Sequence, residues 1–317
     1  MPTHALVTGA AGFIGSTLAE RLLADGARVT GVDRFTDYYD PALKRRNLED
    51  AVRHPRFTLL ELDLAAADLA ALPDVDVVFH QAAQPGVRAS WGREFGTYVH
   101  DNVLATQRLL ERYRDAPLER FVYASSSSVY GDAERFPTDE AQLPRPFSPY
   151  GVSKLAGEHL ALLYGRNFGL RVAALRYFTV YGPRQRPDMA FHRFCRALLG
   201  GGTIVVYGDG RQSRDFTFIA DAVEANLCAW QRAAAQGVYN VGGGSQVEVL
   251  QAVAILERAL GAKANLRFEP RPPGDPLRTR ADATRLREGL GYATRVGIEE
   301  GLAAQAAWAR RLHGAGA

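Results

Sequence analysis

The sequence predicts an α/β fold built on a parallel sheet, and three observations predict it. Short apolar runs alternate with helical patterns through the first half of the 317 residues. The runs are rich in Val, Leu and Phe and lack polar alternation, as expected of strands buried on both faces. A glycine triplet stands where the first run gives way to the first helical pattern. Alternation of this kind lays helices on both faces of the sheet through right-handed crossovers.

The elements follow in order. Strands are expected at 4–8, 28–32, 57–61, 75–80, 120–124 and 171–175, with helices at roughly 12–24, 40–53, 97–114 and 149–167. After Arg176 the rhythm changes, and prolines and glycines crowd 181–187 and 200–210. Shorter elements follow: a strand at 203–206, a helix at 220–233, a strand at 238–241 and a helix at 247–260. A strand at 265–269, a loop at 270–276 and an amphipathic helix at 299–312 complete the chain. No internal repeat or low-complexity segment interrupts it. The expectation is a doubly wound sheet over residues 1–176 and a smaller α/β C-terminal substrate lobe over 177–317, with the chain free to cross between them. Ligands of open α/β sheets bind at the strands' carboxyl edge.

Composition excludes several classes. The chain is 47% hydrophobic and 23% charged with a net charge of +3, which gives no reason to expect a nucleic-acid or membrane partner. Two cysteines, Cys195 and Cys228, exclude a disulfide scaffold and cannot alone complete a four-ligand zinc site. No run approaches the ~18 apolar residues of a membrane span. The N-terminal residues lack the pattern of a secretory signal. A cytoplasmic protein without a metal is expected.

Gly9, Gly12 and Gly15 lie in Thr8-Gly9-Ala10-Ala11-Gly12-Phe13-Ile14-Gly15, between the first strand and the first helix. Glycine there permits a tight turn, close approach of backbone to a pyrophosphate, and packing of helix on strand. The helix N-terminus then offers free N–H groups to phosphates. Asp33 closes the second strand, where a carboxylate accepts from ribose hydroxyls and repels a 2′-phosphate. That favours NAD over NADP, although Arg34 beside it weakens the inference. Asp63-Leu64 is placed to flank the adenine, the alternative for Asp63 being a helix cap. Together these features make the first unit a Rossmann-type domain.

The run Ser125-Ser126-Ser127-Ser128-Val129-Tyr130-Gly131 follows the fifth strand, so its hydroxyls are expected at the sheet's ligand edge. Tyr150 and Lys154 come just after Ser148-Pro149, a helix-start signature, and share one helical face. A phenol of ordinary pKa ~10 is a poor base at neutral pH. A nearby ammonium and a nicotinamide cation would each lower that value.

In this order the motifs resemble the extended short-chain dehydrogenase/reductase family of NAD-dependent sugar-nucleotide epimerases and dehydratases, over nearly the whole chain. The resemblance implies that Tyr150 and Lys154 are the catalytic pair and that Ser126 hydrogen-bonds the reacting sugar oxygen. It places His80-Gln81-Ala82-Ala83 beneath the nicotinamide ribose, so Gln81, Ala82 and Ala83 join the cofactor residues, and it gives Asn102 a structural role. It also implies a homodimer formed by the helices near 97–114 and 149–167.

Within the family, Ser127-Ser128 stands where 4,6-dehydratases carry Asp-Glu, and the place of Ser128 is usually glutamate in glucuronate decarboxylases. The stretch from Arg176-Tyr177-Phe178-Thr179 to Arg186-Pro187-Asp188-Met189-Ala190, and Tyr38-Tyr39-Asp40-Pro41, are similar to UDP-glucuronate 4-epimerases. UDP-glucose 4-epimerases usually have asparagine in the place of Thr179. Arg214-Asp215-Phe216 resembles a motif whose arginine contacts the nucleotide diphosphate; Arg186 and Arg278 are further phosphate candidates, and Ser127, Ser128 and Thr179 are placed to meet the sugar carboxylate. The implied reaction is 4-epimerisation of UDP-glucuronate to UDP-galacturonate through a transient 4-ketone. Epimerisation of UDP-glucose, decarboxylation of UDP-glucuronate, and a non-catalytic NAD-sensing protein are the alternatives. In the implied scheme, hydroxyls of Ser127, Ser128 and Thr179 and N–H groups of the loop 84–88 hold the carboxylate away from the geometry that loses carbon dioxide.

Overall fold

The computed structural model describes residues 3–232, 234–270 and 278–314. The loop expected at 270–276 therefore lies, from 271 on, outside the described residues. In chain order the first half contains β1 His4–Thr8, α1 Phe13–Ala24, β2 Arg28–Asp33, α2 Pro41–Asn47, β3 Phe57–Glu61, β4 Val77–His80, α3 Phe95–Tyr98, α4 Ala105–Tyr113, β5 Arg120–Ser126, α5 Pro149–Phe168 and β6 Val172–Tyr177. The second half contains β7 Thr179–Tyr181, α6 Ala190–Leu199, β8 Thr203–Tyr207, β9 Ser213–Phe218, α7 Ile219–Gln231, β10 Gly237–Val241, β11 Ser245–Glu248, α8 Val249–Leu260, β12 Asn265–Glu269, α9 Thr284–Leu290 and α10 Ile298–His313.

The main sheet has seven strands in the order β10-β6-β5-β4-β1-β2-β3, every pair parallel. This is the doubly wound arrangement expected from the alternating runs. Its faces read directly off the pleat: Ala5 and Val7 of β1 enter one core with Leu18 and Leu22 of α1, while Leu6 enters the other with Leu109 of α4. A fully buried Leu of this kind contributes about 1.5–3 kcal/mol.

One strand sits where the simple division of the chain does not put it. β10 joins the main sheet beside β6, with Asn240 opposite Arg176. Residue 176 thus separates the two halves in sequence but not in space, because the chain returns to the first sheet after visiting the second lobe. That lobe holds a three-stranded sheet, β11-β9-β7, and a two-stranded one, β12-β8. Its core gathers Tyr181, Phe191, Phe216, Leu256 and Leu302.

Two expected helices are broken. The pattern at 40–53 becomes α2 and a single 3-10 turn at Ala51–Arg53. Asp40 caps α2 through the Ala42 N–H at 2.9 Å, and Pro55 disfavours helical backbone at the residue before it. The pattern at 97–114 opens as α3, passes through a π-helical stretch at Val99–Leu104 and continues as α4. The wide turn carries Asn102, which is buried. π-Helical turns of this sort collect at functional sites.

Candidate active site

The glycine loop is shaped by two contacts. Gly9 has φ +66°, a left-handed value that favours glycine, and a Cβ on Gly15 would collide with the Gly9 carbonyl. The loop therefore folds back on itself and delivers the N-terminus of α1, whose Gly12 N-cap has no side-chain cap. Asp33 at the end of β2 accepts from the Ala11 N–H at 3.0 Å and the Phe35 N–H at 2.8 Å. Its carboxylate braces the loop, and an ionised carboxylate has acceptor sites to spare for ribose hydroxyls.

A cleft opens along the carboxyl edge of the sheet. Gly9, Gly12, Phe13, Ile14, Gly15, Asp33, Asp63, Leu64, Gln81, Ala82, Ala83, Tyr150 and Lys154 all line it. Every residue that the sequence offered as a cofactor contact thus faces one space. The helix N-terminus, the braced carboxylate and a cleft running on to a buried phenol fit a nicotinamide dinucleotide. Asp63 combines both of its readings: it caps a turn through the Ala65 N–H at 2.8 Å and also faces the cleft. Burial opposes its ionisation, but the Ala65 N–H and Arg34 outweigh that and hold its pKa below the usual carboxylate range.

Sequence reasoning missed several cleft residues. Arg34 does not hang free beside Asp33: it spans Asp63 and Asp101, both at 2.7 Å. Lys44 also lines the cleft, bonded to the carbonyl and hydroxyl of Thr36 at 2.6 and 2.7 Å. Neither partnership has a sequence signal, since each joins residues from separate turns.

The catalytic end is built on α5. Ser148 caps the helix by accepting from the Gly151 N–H at 3.1 Å, and Pro149 fills the first turn. A Cβ on Gly151 would lie 2.5 Å from the Ser128 carbonyl oxygen, so glycine lets α5 press its first turn against the serine run. Tyr150 stands beside Ser126 at the end of β5, which pulls its pKa down, and its ring meets Tyr98 edge-on at 6.2 Å between centroids. One turn along, Lys154 is buried with its ammonium 4.6 Å from the centre of the Tyr123 ring. Asn102 ties this end together: it accepts from the Gln84 N–H at 2.7 Å and donates to the Gln84 carbonyl at 3.0 Å and Ser153 Oγ at 2.9 Å. His80 runs a parallel chain from Thr8 Oγ1, at 2.7 Å, to Thr106 Oγ1, at 2.9 Å. Burial, with the Lys154 charge nearby, pushes its pKa down to about 3, so it stays neutral.

The expected lowering of the phenol pKa is not found in the protein by itself. Burial pushes Tyr150 above its ordinary value, against the opposite pulls of Ser126 and Arg186. Burial likewise pushes Lys154 down to about 7, against the pull of Glu158. Burial thus desolvates both groups, and among the neighbours Ser126 and Arg186 pull the phenol toward its ionised form.

Of the proposed substrate residues, Arg186 lines this cleft, whereas Ser127, Ser128, Thr179, Arg214 and Arg278 are not among its lining residues. Ser127 and Ser128 form the 3-10 turn after β5, with the Ser128 N–H bonded to Ser126 Oγ at 3.2 Å. Thr179 opens β7 opposite Phe216. Arg186 lines the cleft beside Tyr38 and Tyr150, its guanidinium gripped by Asp188 at 3.0 Å through two nitrogens. Arg214 lies on β9, and Arg278 bridges to the neighbouring Ser213, so the two arginines share one region of the second lobe. Asp215, between Arg214 and Phe216, is structural: it is buried and receives the N–H groups of Gly243 and Ala281. One expectation needs correction. The Gln84 N–H is committed to Asn102, so it is not free for a carboxylate.

The family model for the NAD dependent epimerase/dehydratase family matches residues 5–242. The chain belongs to that family. A UDP-glucuronic acid 4-epimerase from Bacillus cereus, solved with UDP-glucuronic acid and NAD, is 42% identical with a TM-score of 0.94, covering 98% of this chain and 99% of its own. An uncharacterised UDP-glucose epimerase of Bacillus subtilis (strain 168), YtcB, is 44% identical over 311 residues, 97% of this chain and 98% of that protein. A UDP-glucuronate 4-epimerase of Thermodesulfobacterium geofontis (strain OPF15) is 34% identical over 310 residues, 96% of this chain and 95% of that protein. Family membership makes the cleft that of an NAD-dependent enzyme. No helix among the described residues is long and apolar enough to cross a membrane.

Proposed function

We propose that the chain is an NAD-dependent UDP-sugar 4-epimerase whose main substrate is UDP-glucuronate and whose product is UDP-galacturonate. The observation that carries this reading is the contact of Tyr150 with Ser126 in a cleft lined by the glycine loop, with serines rather than carboxylates on the following turn. Gly9, Gly12, Phe13, Ile14 and Gly15 hold the cofactor pyrophosphate, Asp33 the adenosine ribose, and Asp63 and Leu64 the adenine side. Gln81, Ala82, Ala83 and Lys154 hold the nicotinamide ribose. Bound there, NAD supplies a reversible acceptor for the hydrogen at C4 of the sugar.

Everything else falls to the chain's own side chains. Tyr150 Oη takes the proton of the 4-hydroxyl and later returns it. Ser126 Oγ hydrogen-bonds the same oxygen and keeps it in line with Tyr150. The Lys154 ammonium favours the phenolate. Arg214, Arg278 and Arg186 bind the diphosphate, and Ser127, Ser128 and Thr179 bind the C6 carboxylate. The sugar would pass through a 4-ketone; after its ring has turned, C4 would regain the hydrogen lent to the cofactor while Tyr150 returns the proton to O4, so no net oxidation would occur.

The test uses the purified chain with UDP-glucuronate and no added reductant. UDP-galacturonate should appear by NMR and the two should reach equilibrium, while denaturation of the protein releases stoichiometric nicotinamide dinucleotide. No conversion under those conditions overturns the reading. A UDP-glucose activity is a second reading, favoured by the likeness to YtcB.

Assembly and location belong to the same proposal. Phe95, Val99 and Leu104 in the α3–α4 stretch, and Val152, Leu163 and Phe168 on α5, are exposed large apolar side chains. Such a patch supports burial against a second copy, and isologous dimers are the commonest oligomers. A dimeric mass is expected at micromolar concentration by light scattering; a strictly monomeric mass would sink the dimer. The unpaired, buried thiols of Cys195 and Cys228 accord with a cytoplasmic setting.

A further inference from the structure

One buried acid on α5 has no part in the proton chemistry described so far. Tyr150, Lys154 and Glu158 follow one another at one-turn intervals, so they share a helix face. Glu158 is 1% exposed. Its Oε1 accepts from Arg176 Nη2 at 2.6 Å, and its Oε2 accepts from Arg176 Nε at 2.9 Å and from Ser125 Oγ at 2.6 Å. Arg176 and Ser125 are direct partners across β5 and β6, so the sheet register fixes both donors at once. Arg176 also lies 4.7 Å from the centre of the Tyr130 ring. Three hydrogen bonds from two neighbouring strands thus lock one carboxylate under α5.

We propose that Glu158 is a positioning residue of the active site: its carboxylate, locked by Arg176 and Ser125, keeps the Lys154 ammonium charged inside the protein. The inference rests on the reading of Tyr150 and Lys154 as the catalytic pair. A fully buried ammonium is costly unless an opposite charge faces it. The groups around Lys154 are Tyr150 and Glu158 from its own helix, Tyr123 from β5, His80 from β4, and Arg176 from β6 behind Glu158. Tyr123 offers its ring face and His80 is neutral, so neither supplies a full negative charge. Glu158 is the carboxylate among them, and Arg176 and Ser125 hold both of its oxygens in place. Its pull on Lys154 opposes the desolvation that drives the lysine toward neutrality.

The sign follows. A charged Lys154 is needed to favour the phenolate and to hold the ribose, so activity and cofactor affinity fall as pH rises through the lysine's pKa. Removing the carboxylate lowers that pKa and moves the fall to lower pH. An opposite charge at close range shifts a pKa by about 1–3 units, so a displacement of about one pH unit is expected in Glu158→Gln. The readouts are the alkaline limb of kcat/KM and, without substrate, the NAD dissociation constant across pH by calorimetry on the full chain. Glu158→Asp, which keeps the charge, should restore the limb. Glu158→Gln strands the Arg176 charge and can fail to fold; the pair Glu158→Gln with Arg176→Met removes both charges and should show the same displacement. An unmoved midpoint in either variant, with activity reduced evenly at every pH, makes Glu158 merely structural and overturns the inference. Such a result leaves the Tyr150 assignment standing, because that falls only if Tyr150→Phe still turns over.

Discussion

Tyr150→Phe is expected to lower epimerisation by ~10²-fold or more, the usual contribution of a positioned general base, while NAD stays bound. The ring would still meet Tyr98 edge-on, so packing of the cleft survives. What disappears is the hydroxyl beside Ser126, the oxygen proposed to take and return the sugar's proton. Because burial already pushes this phenol above its ordinary pKa, its base strength depends on neighbouring charge. Turnover assayed by NMR, with bound dinucleotide measured after denaturation, checks both halves. Near-normal turnover in the variant would remove Tyr150 from the mechanism.

The second large effect concerns the sugar. Oxidation at C4 of a glucuronate gives a β-keto acid, which loses carbon dioxide fastest when its carboxylate stands perpendicular to the carbonyl plane. An epimerase must hold that group elsewhere without supplying an acid. Ser127 and Ser128, on the turn against which α5 packs, and Thr179, at the start of β7, offer hydroxyl donors and no proton source. A hydrogen bond to a charged group is worth roughly 1.5–3 kcal/mol, so losing two would cost between ~10² and ~10⁴ in selectivity if they add. UDP-glucuronate should accordingly exceed UDP-glucose in kcat/KM by that range, with little pentose among the products. Equal use of the two substrates would dismiss the carboxylate-binding role of these hydroxyls. A dominant UDP-xylose product would show that the site presents the carboxylate in the labile orientation.

How far this was legible in the sequence depends on whether the signal is local. The inner strands of the first half, β1, β4, β5 and β6, are continuous runs with almost every residue buried, and α2 and α5 carry ordinary caps, Asp40 and Ser148. The cofactor loop and Tyr150–Lys154 are likewise written within a few residues of one another. The three-stranded sheet escaped notice because β7 spans three residues and β9 begins with Ser-Arg-Asp, which reads as a loop. β11 escaped because it merges into the start of α8. The π-helical turn that buries Asn102 has no composition of its own. Glu158 was invisible for another reason: an acid on an amphipathic helix normally faces water, and its partners Arg176 and Ser125 lie on other elements. The bidentate grip of Asp188 on Arg186 is local, yet nothing in Arg-Pro-Asp distinguishes it from an exposed pair.

The position of β10 bears on how the polypeptide can be made and cut. Until residues 237–241 have emerged from the ribosome, β6 must wait with its outer hydrogen-bonding groups unpaired. An unpaired parallel edge is a template for association with other chains. A nascent or truncated chain ending soon after Arg176 would thus carry Tyr150 and the whole glycine loop and still be prone to aggregate. Proteolytic nicking between the halves should not release a free-standing nucleotide-binding fragment. The enzyme is sewn together by its seventh strand, and it becomes a soluble folding unit only once that late segment has docked.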